Sequence, residues 1–259
     1  MHRRSKSIHS NVHLKKLKEL LLLKDERVID TWGYILNACQ IFDLAEGSAY
    51  YSEEIERTMQ AVTLLKSFDW EKGRHHDGYA DSIESMLYLL PWYDNLDFQY
   101  WVDDEIEIMF QTQSPSGFVG EGYLDGNFIR TALLYAFYKT QGVVAEPWIE
   151  GLHIGASYDK NNDELYIYLS ANAEWNGKLK FDQPRHRTIW NIPFEYPRLN
   201  GNPEWYVVEP QMKYSIINLN TGKESIHNGQ SLIEGINVTQ ERLGAPINLK
   251  VIKLTETNN

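Results

Sequence analysis

The chain has 259 residues, 42% apolar and 24% charged, which is enough to bury a substantial core and argues against disorder. Acidic residues outnumber basic ones 36 to 25, and the resulting formal charge of -11 repels nucleic-acid phosphates. A single cysteine, Cys39, excludes an intrachain disulfide and a thiolate metal cluster, and no apolar run is long enough to span a bilayer.

In chain order, the basic run from His2 to Lys18 (Arg3, Arg4, Lys6, Lys15, Lys16, Lys18) reads as a solvated end, and it lacks the apolar stretch of a signal peptide. The chain as given is therefore expected in the cytoplasm, while a longer parent could be periplasmic or secreted. Leu14, Leu17, Leu20 and Leu21 recur at helical spacing. Trp32, Ile35, Leu36, Cys39 and Phe42 continue that period, with Gly47 as a stop and Cys39 as a small core residue. Ser52 before Glu53 and Glu54 reads as an N-cap for a helix with Ile55, Met59, Val62 and Leu65 on one face. A fourth helix is predicted to follow Asp81, with Ile83, Met86, Leu87 and Leu90, and to end at Pro91. A fifth carries Val102, Ile106, Met109 and Phe110. A sixth starts near Asn127, uses Ile129, Leu133, Leu134 and Phe137, and closes at Gly142. Six helices in short-loop succession predict three helical hairpins packed side by side.

After Pro147 the period changes to alternation. Leu165, Ile167 and Leu169 alternate with Tyr166, Tyr168 and Ser170, as in a half-buried strand. Further strands are predicted at 205–209, 214–218, 231–238 and 247–254. Turns are predicted at Asn161-Asn162-Asp163, at Asn176-Gly177 between Trp175 and Leu179, and at Asn220-Thr221-Gly222-Lys223. Such spacing predicts antiparallel sheets in a sandwich. The stretch from Pro184 to Pro203 carries four prolines and reads as a structured loop.

Three segments could carry chemistry. The first, 70–84, offers Trp70, His75, His76, Asp77, Tyr79, Asp81 and Glu84. Paired carboxyl groups of this kind can protonate a glycosidic oxygen and activate water or attack the anomeric carbon; a His or Tyr can instead take a proton beside a uronate carboxylate. Asp81 and Glu84 also have the spacing of a capping box, with Ser82 as another cap. The second segment, 121–130, offers Asp125, Asn127 and Arg130, with Asn127 readable as an N-cap. In the third, 181–210, Arg185 and Arg187 could fork a uronate carboxylate or pin the loop through its own acids, alongside His186, Tyr196, Arg198 and Glu204. Trp175, Trp190 and Trp205 read as packing, although 8 Trp and 16 Tyr also supply surfaces for sugar stacking.

The runs D-T-W-G-Y-I-L-N-A from Asp30, D-G-Y-A-D-S-I-E from Asp77, D-G-N-F-I-R-T from Asp125 and Y-K-T-Q-G ending at Gly142 resemble the six-hairpin (α/α) toroid glycosidase-like superfamily. The runs F-D-Q-P-R-H-R and P-E-W-Y-V-V-E-P resemble the β-sandwich that follows such toroids in bacterial polysaccharide-degrading proteins. The resemblance implies an α+β multidomain chain, an (α/α) toroid portion over 1–146 and an antiparallel β-sandwich over 147–259. Three hairpins are half of such a toroid, so it also implies a C-terminal portion whose missing N-terminal part, or another copy in a homo-oligomer, completes the ring.

For function, the resemblance implies a carbohydrate substrate; the acidic balance argues against nucleic acid, the lack of a spanning apolar run against a membrane, and no metal or cofactor is expected. In the hydrolase reading Asp81 or Glu84 is the acid and Asp125 the second carboxylate. In a uronate lyase His76 and Tyr79 transfer the proton, with Arg130 near the acidic group. Trp32, Tyr34, Trp70, His75, Asp77, Asn127 and Arg130 would contact substrate. From a third class, the chain could be a non-catalytic glycan-binding or structural fragment.

Overall fold

A computed structural model describes residues 32–65, 67–68, 76–119, 126–192, 203–242 and 244–254, and of His76 only the backbone. Two compact units divide the chain: 1–135 with 196–203, and 136–195 with 204–259. Among the described residues the protein is mixed α+β, with seven helices and two antiparallel sheets. The expected helix around Leu14 to Leu21 lies outside the described residues. No described helix is long and apolar enough to cross a membrane.

The first unit is helical. Helix α1 (Trp32–Glu46) buries Trp32, Leu36 and Cys39 and ends, as its pattern predicts, at Gly47, whose φ of 63° favours a residue without a Cβ. Helix α2 (Ser52–Thr63) buries Ile55, Met59 and Val62, while Leu65 falls beyond its end and is exposed. Ser52 is not the cap: Tyr51 holds that position, with no side-chain cap bond, and Ser52 Oγ donates to the Ala49 carbonyl at 2.9 Å. The duty passes to buried Asp43 of α1. It accepts from Tyr50 N at 3.0 Å, Tyr51 N at 2.8 Å and Ser48 Oγ at 2.7 Å, tying the end of one helix to the start of the next.

Helix α3 (His76–Leu89) begins five residues before Asp81, not after it, and from Ala80 to Leu90 every residue is buried. It packs against α1 and against α4 (Leu96–Gln111), and α2 packs on α4. A Cβ at Gly33 of α1 would collide with the Ser85 side chain, so this glycine sets how closely α1 and α3 approach. Helix α4 is capped by Asn95, whose side chain accepts from Asp97 N at 2.9 Å. It buries Val102, Ile106 and Met109 as expected, but leaves Phe110 exposed.

Helix α5 (Gly126–Lys139) corrects its predicted apolar face. Leu134 is buried, but Ile129 is 68% and Leu133 53% exposed, and the inward positions include Phe128 and Thr131. Asn127 lies within the first turn rather than capping it.

The second unit holds both sheets. Strands β1 (Val144–Glu146), β4 (Trp175–Lys180) and β7 (Ile236–Gln240) form one sheet in the order β1-β4-β7. Strands β2 (Leu152–Asp159), β3 (Glu164–Ala171), β5 (Lys213–Asn218), β6 (Glu224–Asn228) and β8 (Ile247–Leu254) form the other, in the order β2-β3-β8-β5-β6. One apolar cluster draws on both, through Trp175 and Leu179 from the first and Leu165, Ile167, Leu169, Ile216, Leu249 and Val251 from the second. The alternation predicted for β3 holds, with Tyr166 and Tyr168 outward, and its turn contains Asp163 at φ 53°. Gly222 turns β5 into β6 at φ 72°.

The structure overturns three expectations in this unit. Asn176-Gly177 is no turn: β4 runs straight through it, with Gly177 opposite Val238. The glycine is there because a Cβ would overlap the Trp175 indole and the Glu146 carbonyl oxygen. The strand expected over 231–238 begins instead as helix α7 (Gly229–Glu234), capped by Asn228, which accepts from Ser231 N at 2.7 Å. The segment 205–209 makes only an isolated bridge, Val207 with Asp182.

The loop after Pro184 contains the short helix α6 (Arg185–Thr188). Arg185 pins it: Nε donates to both Asp182 oxygens, at 2.9 and 3.1 Å, and Nη2 to Oδ2 at 2.9 Å. His186 is buried, with its backbone N–H on Glu204 Oε1 at 2.6 Å and Nδ1 2.9 Å from the same oxygen. Burial pushes the Glu204 carboxyl up, but the bonds from His186 and the Arg185 charge outweigh it and hold the group below the usual glutamate range. Tyr196 and Arg198 lie outside the described residues.

Replacing Asp43 with Ala removes an acceptor shared by two backbone amides and a hydroxyl, two of them around buried Tyr51. We expect a loss of about 2–4 kcal/mol in urea denaturation, whereas Ser52→Ala should cost only tenths.

Candidate functional site

The polar segment around Asp81 becomes a helix interior in the fold, and this changes what its carboxylates do. Asp81 and Glu84 sit one turn apart on α3, both buried, so neither caps the helix start and no capping box exists. Ser82 is not a cap either; its hydroxyl donates to the Gly78 carbonyl at 2.8 Å.

Two buried carboxyl groups on one face require donors, and the first turns of α5 supply them. Arg130 Nε donates to Glu84 Oε1 at 2.9 Å and Oε2 at 2.8 Å, and its Nη2 lies 2.8 Å from Oε2. The same Nη2 donates to Asp81 Oδ1 at 3.2 Å. Thr131 Oγ1 lies 2.8 Å from Glu84 Oε1 and 2.9 Å from the Asn127 carbonyl oxygen, and can donate to either. From α1, Tyr34 donates its phenol to Asp81 Oδ2. Three helices are thereby joined through one connected set: Tyr34, Asp81, Arg130, Glu84, Thr131.

The set is graded in exposure. The Glu84 side chain is 0% exposed, Asp81 10% and Arg130 46%, and the Tyr34 ring is also partly exposed. Burial pushes the Glu84 carboxyl above the ordinary glutamate range; the Arg130 and Thr131 bonds oppose that shift and the Asp81 charge adds to it. For Arg130, burial works against the cation, but the Glu84 and Asp81 carboxylates outweigh it and raise its pKa. Chemically, Glu84 is a fixed counter-ion with no free face. The exposed members are Tyr34 and Arg130, and Asp81 lies buried between them with a bond to each of its oxygens.

The remaining expected site residues are placed differently. Trp32 is buried in α1. Asp77 is exposed in the first turn of α3, and Tyr79 is half-buried and stacked on Phe68, with centroids 4.4 Å apart and rings 5° from parallel. Trp101 meets the same Phe68 edge-on, and Glu105, buried on α4, accepts from Phe68 N at 3.3 Å. Asn127 contributes its backbone carbonyl to Thr131. Trp70, His75 and Asp125 lie outside the described residues, as does the His76 side chain. Among the described residues no group of three or more His, Cys, Asp and Glu side chains is arranged to hold a metal.

Sequence reasoning missed Thr131 and the pairing of Arg130 with Glu84. The available signal was that an Arg-Thr pair, both donors, follows Asn127 on a helix otherwise read as apolar. No protein-family model matches this chain, and a search of curated proteins finds no match either.

Arg130→Ala strands a buried carboxylate. We expect a loss of about 2–4 kcal/mol in urea denaturation, less than for a fully enclosed pair because Arg130 is half-exposed, with Arg130→Lys recovering only part. A second outcome concerns pH. Because the folded pKa of Glu84 lies above its ordinary value of 4.5, its contribution is complete below that value and is lost as pH rises through the folded pKa. The stability of the parent protein relative to Glu84→Gln should therefore fall from acid toward neutral pH; a difference that grows with pH would contradict the raised pKa.

Proposed function

We propose that the helical unit is a carbohydrate-active module that acts on acidic oligo- or polysaccharides in the manner of a glycoside hydrolase. One observation carries the reading: Tyr34, Asp81 and Arg130, from three different helices, form a single bonded set whose outer members reach solvent. The half-exposed Arg130 side chain puts a positive charge beside Asp81, which favours an anionic sugar. Asp81, oriented from both sides, serves as one of the two carboxyl groups that glycosidic cleavage requires, and Asp125 is the second. Glu84, with no exposed surface, is a positioning residue acting through Arg130. The same reading takes the helices as part of an (α/α) toroid and the two sheets as an antiparallel β-sandwich. The Asp43-closed turn between α1 and α2 supports the former, and the apolar cluster shared by both sheets supports the latter.

A uronate lyase is the second reading, and Tyr34 favours it. A phenol oriented by a carboxylate beside an arginine is suited to moving a proton next to a neutralised uronate.

Ultraviolet absorbance of the purified chain with a panel of acidic oligosaccharides, some carrying an unsaturated uronic end, separates the two. We expect absorbance to fall as the unsaturated sugar is consumed, and Asp81→Asn to abolish the fall in a chain that circular dichroism shows to be still folded. A rise, lost in Tyr34→Phe, would make the protein a lyase. A flat trace across the panel would overturn both and point to a neutral-sugar substrate or a non-catalytic fragment.

A further inference from the structure

Strand β6 is patterned inside out. Successive residues of a strand face opposite sides of the sheet, and directly opposed residues share a side. Ser225 opposes Ile216 and His227 opposes Tyr214, and both β5 residues belong to the apolar cluster. The polar pair Ser225 and His227 therefore stands on the core side, while Ile226 is turned to the other side and is 63% exposed. Ser225 is exposed and His227 half-buried, so among the described residues nothing closes over this end of the core side.

A groove of about 620 Å³ lies there, within the rough range of 300–1,000 Å³ typical of small-molecule sites. Its apolar lining is Ile216 of β5, Ile247 and Leu249 of β8, and Ile236 and Val238 of β7. Ser225 and His227 supply polar atoms at one point of it, with His227 Nε2 3.0 Å from Ser225 Oγ. Although the chain carries 36 acidic residues against 25 basic, no Asp or Glu lines the groove, and its only fixed charge is Lys223. The acids nearest in sequence are engaged elsewhere. Glu224 opposes Ile217 on the far side of the sheet and accepts from Ser215 Oγ at 2.5 Å; Glu234 accepts from Gln230 Nε2 at 2.8 Å.

We propose that this groove binds a small organic anion with an apolar body, of the medium-chain carboxylate or aryl sulfonate class. The body lies on Ile216, Leu249 and Val238, and the anionic head meets Lys223, with Ser225 and His227 as hydrogen-bonding partners. Two other ligand classes fit worse. Sugar rings stack on aromatic faces, and no Phe, Tyr or Trp lines the groove. A nucleic acid would bring its run of phosphates against a chain of charge -11. The groove lies within the second unit and does not rest on the function proposed for the helical one.

Isothermal titration of the full chain with octanoate, anilinonaphthalene sulfonate and uncharged octanol tests the proposal, with circular dichroism to confirm that each variant is folded. Both anions should bind at a single site, and octanol about tenfold more weakly than octanoate. K223E should weaken octanoate about tenfold and leave octanol unchanged, and S225W, which fills the groove from an exposed position, should abolish binding of all three. Failure of both anions to bind would overturn the proposal. Octanol binding as tightly as octanoate, or octanoate indifferent to K223E, would remove the anionic part of it, and binding that survives S225W would place the ligand elsewhere.

Discussion

A carboxylate without exposed surface, Glu84, lies on a helix buried along most of its length, and the first turns of α5 are oriented by the need to answer it. Leaving such a group unpaired would cost several kcal/mol, comparable to leaving two leucine-sized side chains on the surface. The fold accordingly turns Arg130 and Thr131 inward and leaves Ile129 and Leu133 exposed. Tyr34 then reaches the far side of Asp81, so that the electrostatic demand of one helix also couples α1 to the set.

The same device recurs on a smaller scale in the second unit. Asp182 and Glu204 are partly buried acids, and Arg185 and His186, adjacent in one turn of helix, answer one each. Between its two loop readings, this geometry supports pinning, since the Arg185 fork is spent on Asp182. The difference from the Arg130 set is exposure: the Arg185 side chain is 20% exposed and Arg130 46%. That contrast is why the functional proposal rests on the helical unit.

Much of the architecture was legible because it rests on local periodicity. Most predicted core positions of α1, α2 and α4 are buried, with Leu65 and Phe110 the exposed exceptions, and β3 and β8 have the predicted strands, since in these elements the apolar face and the core face largely coincide. Several of the failures arise where packing or bonding that periodicity does not report set a residue's role. Asp43 capped the helix that Ser52 was read as capping. Trp175 packing, not a turn, required Gly177. The helix start assigned to Asp81 lay at His76, which moved a supposed capping box into the interior.

Composition, charge and the two hydrophobic periods by themselves determined a helical part followed by antiparallel strands, and they drew attention to Asp81, Glu84 and Arg130 as chemically unusual. Periodicity reports which face of an element is apolar, because that is a property of neighbours three or two residues apart. It does not report what a polar side chain meets. The 46 residues from Glu84 to Arg130 and the 47 from Tyr34 to Asp81 are bridged only by tertiary structure, since desolvated carboxylates take their donors from whichever helix packs against them.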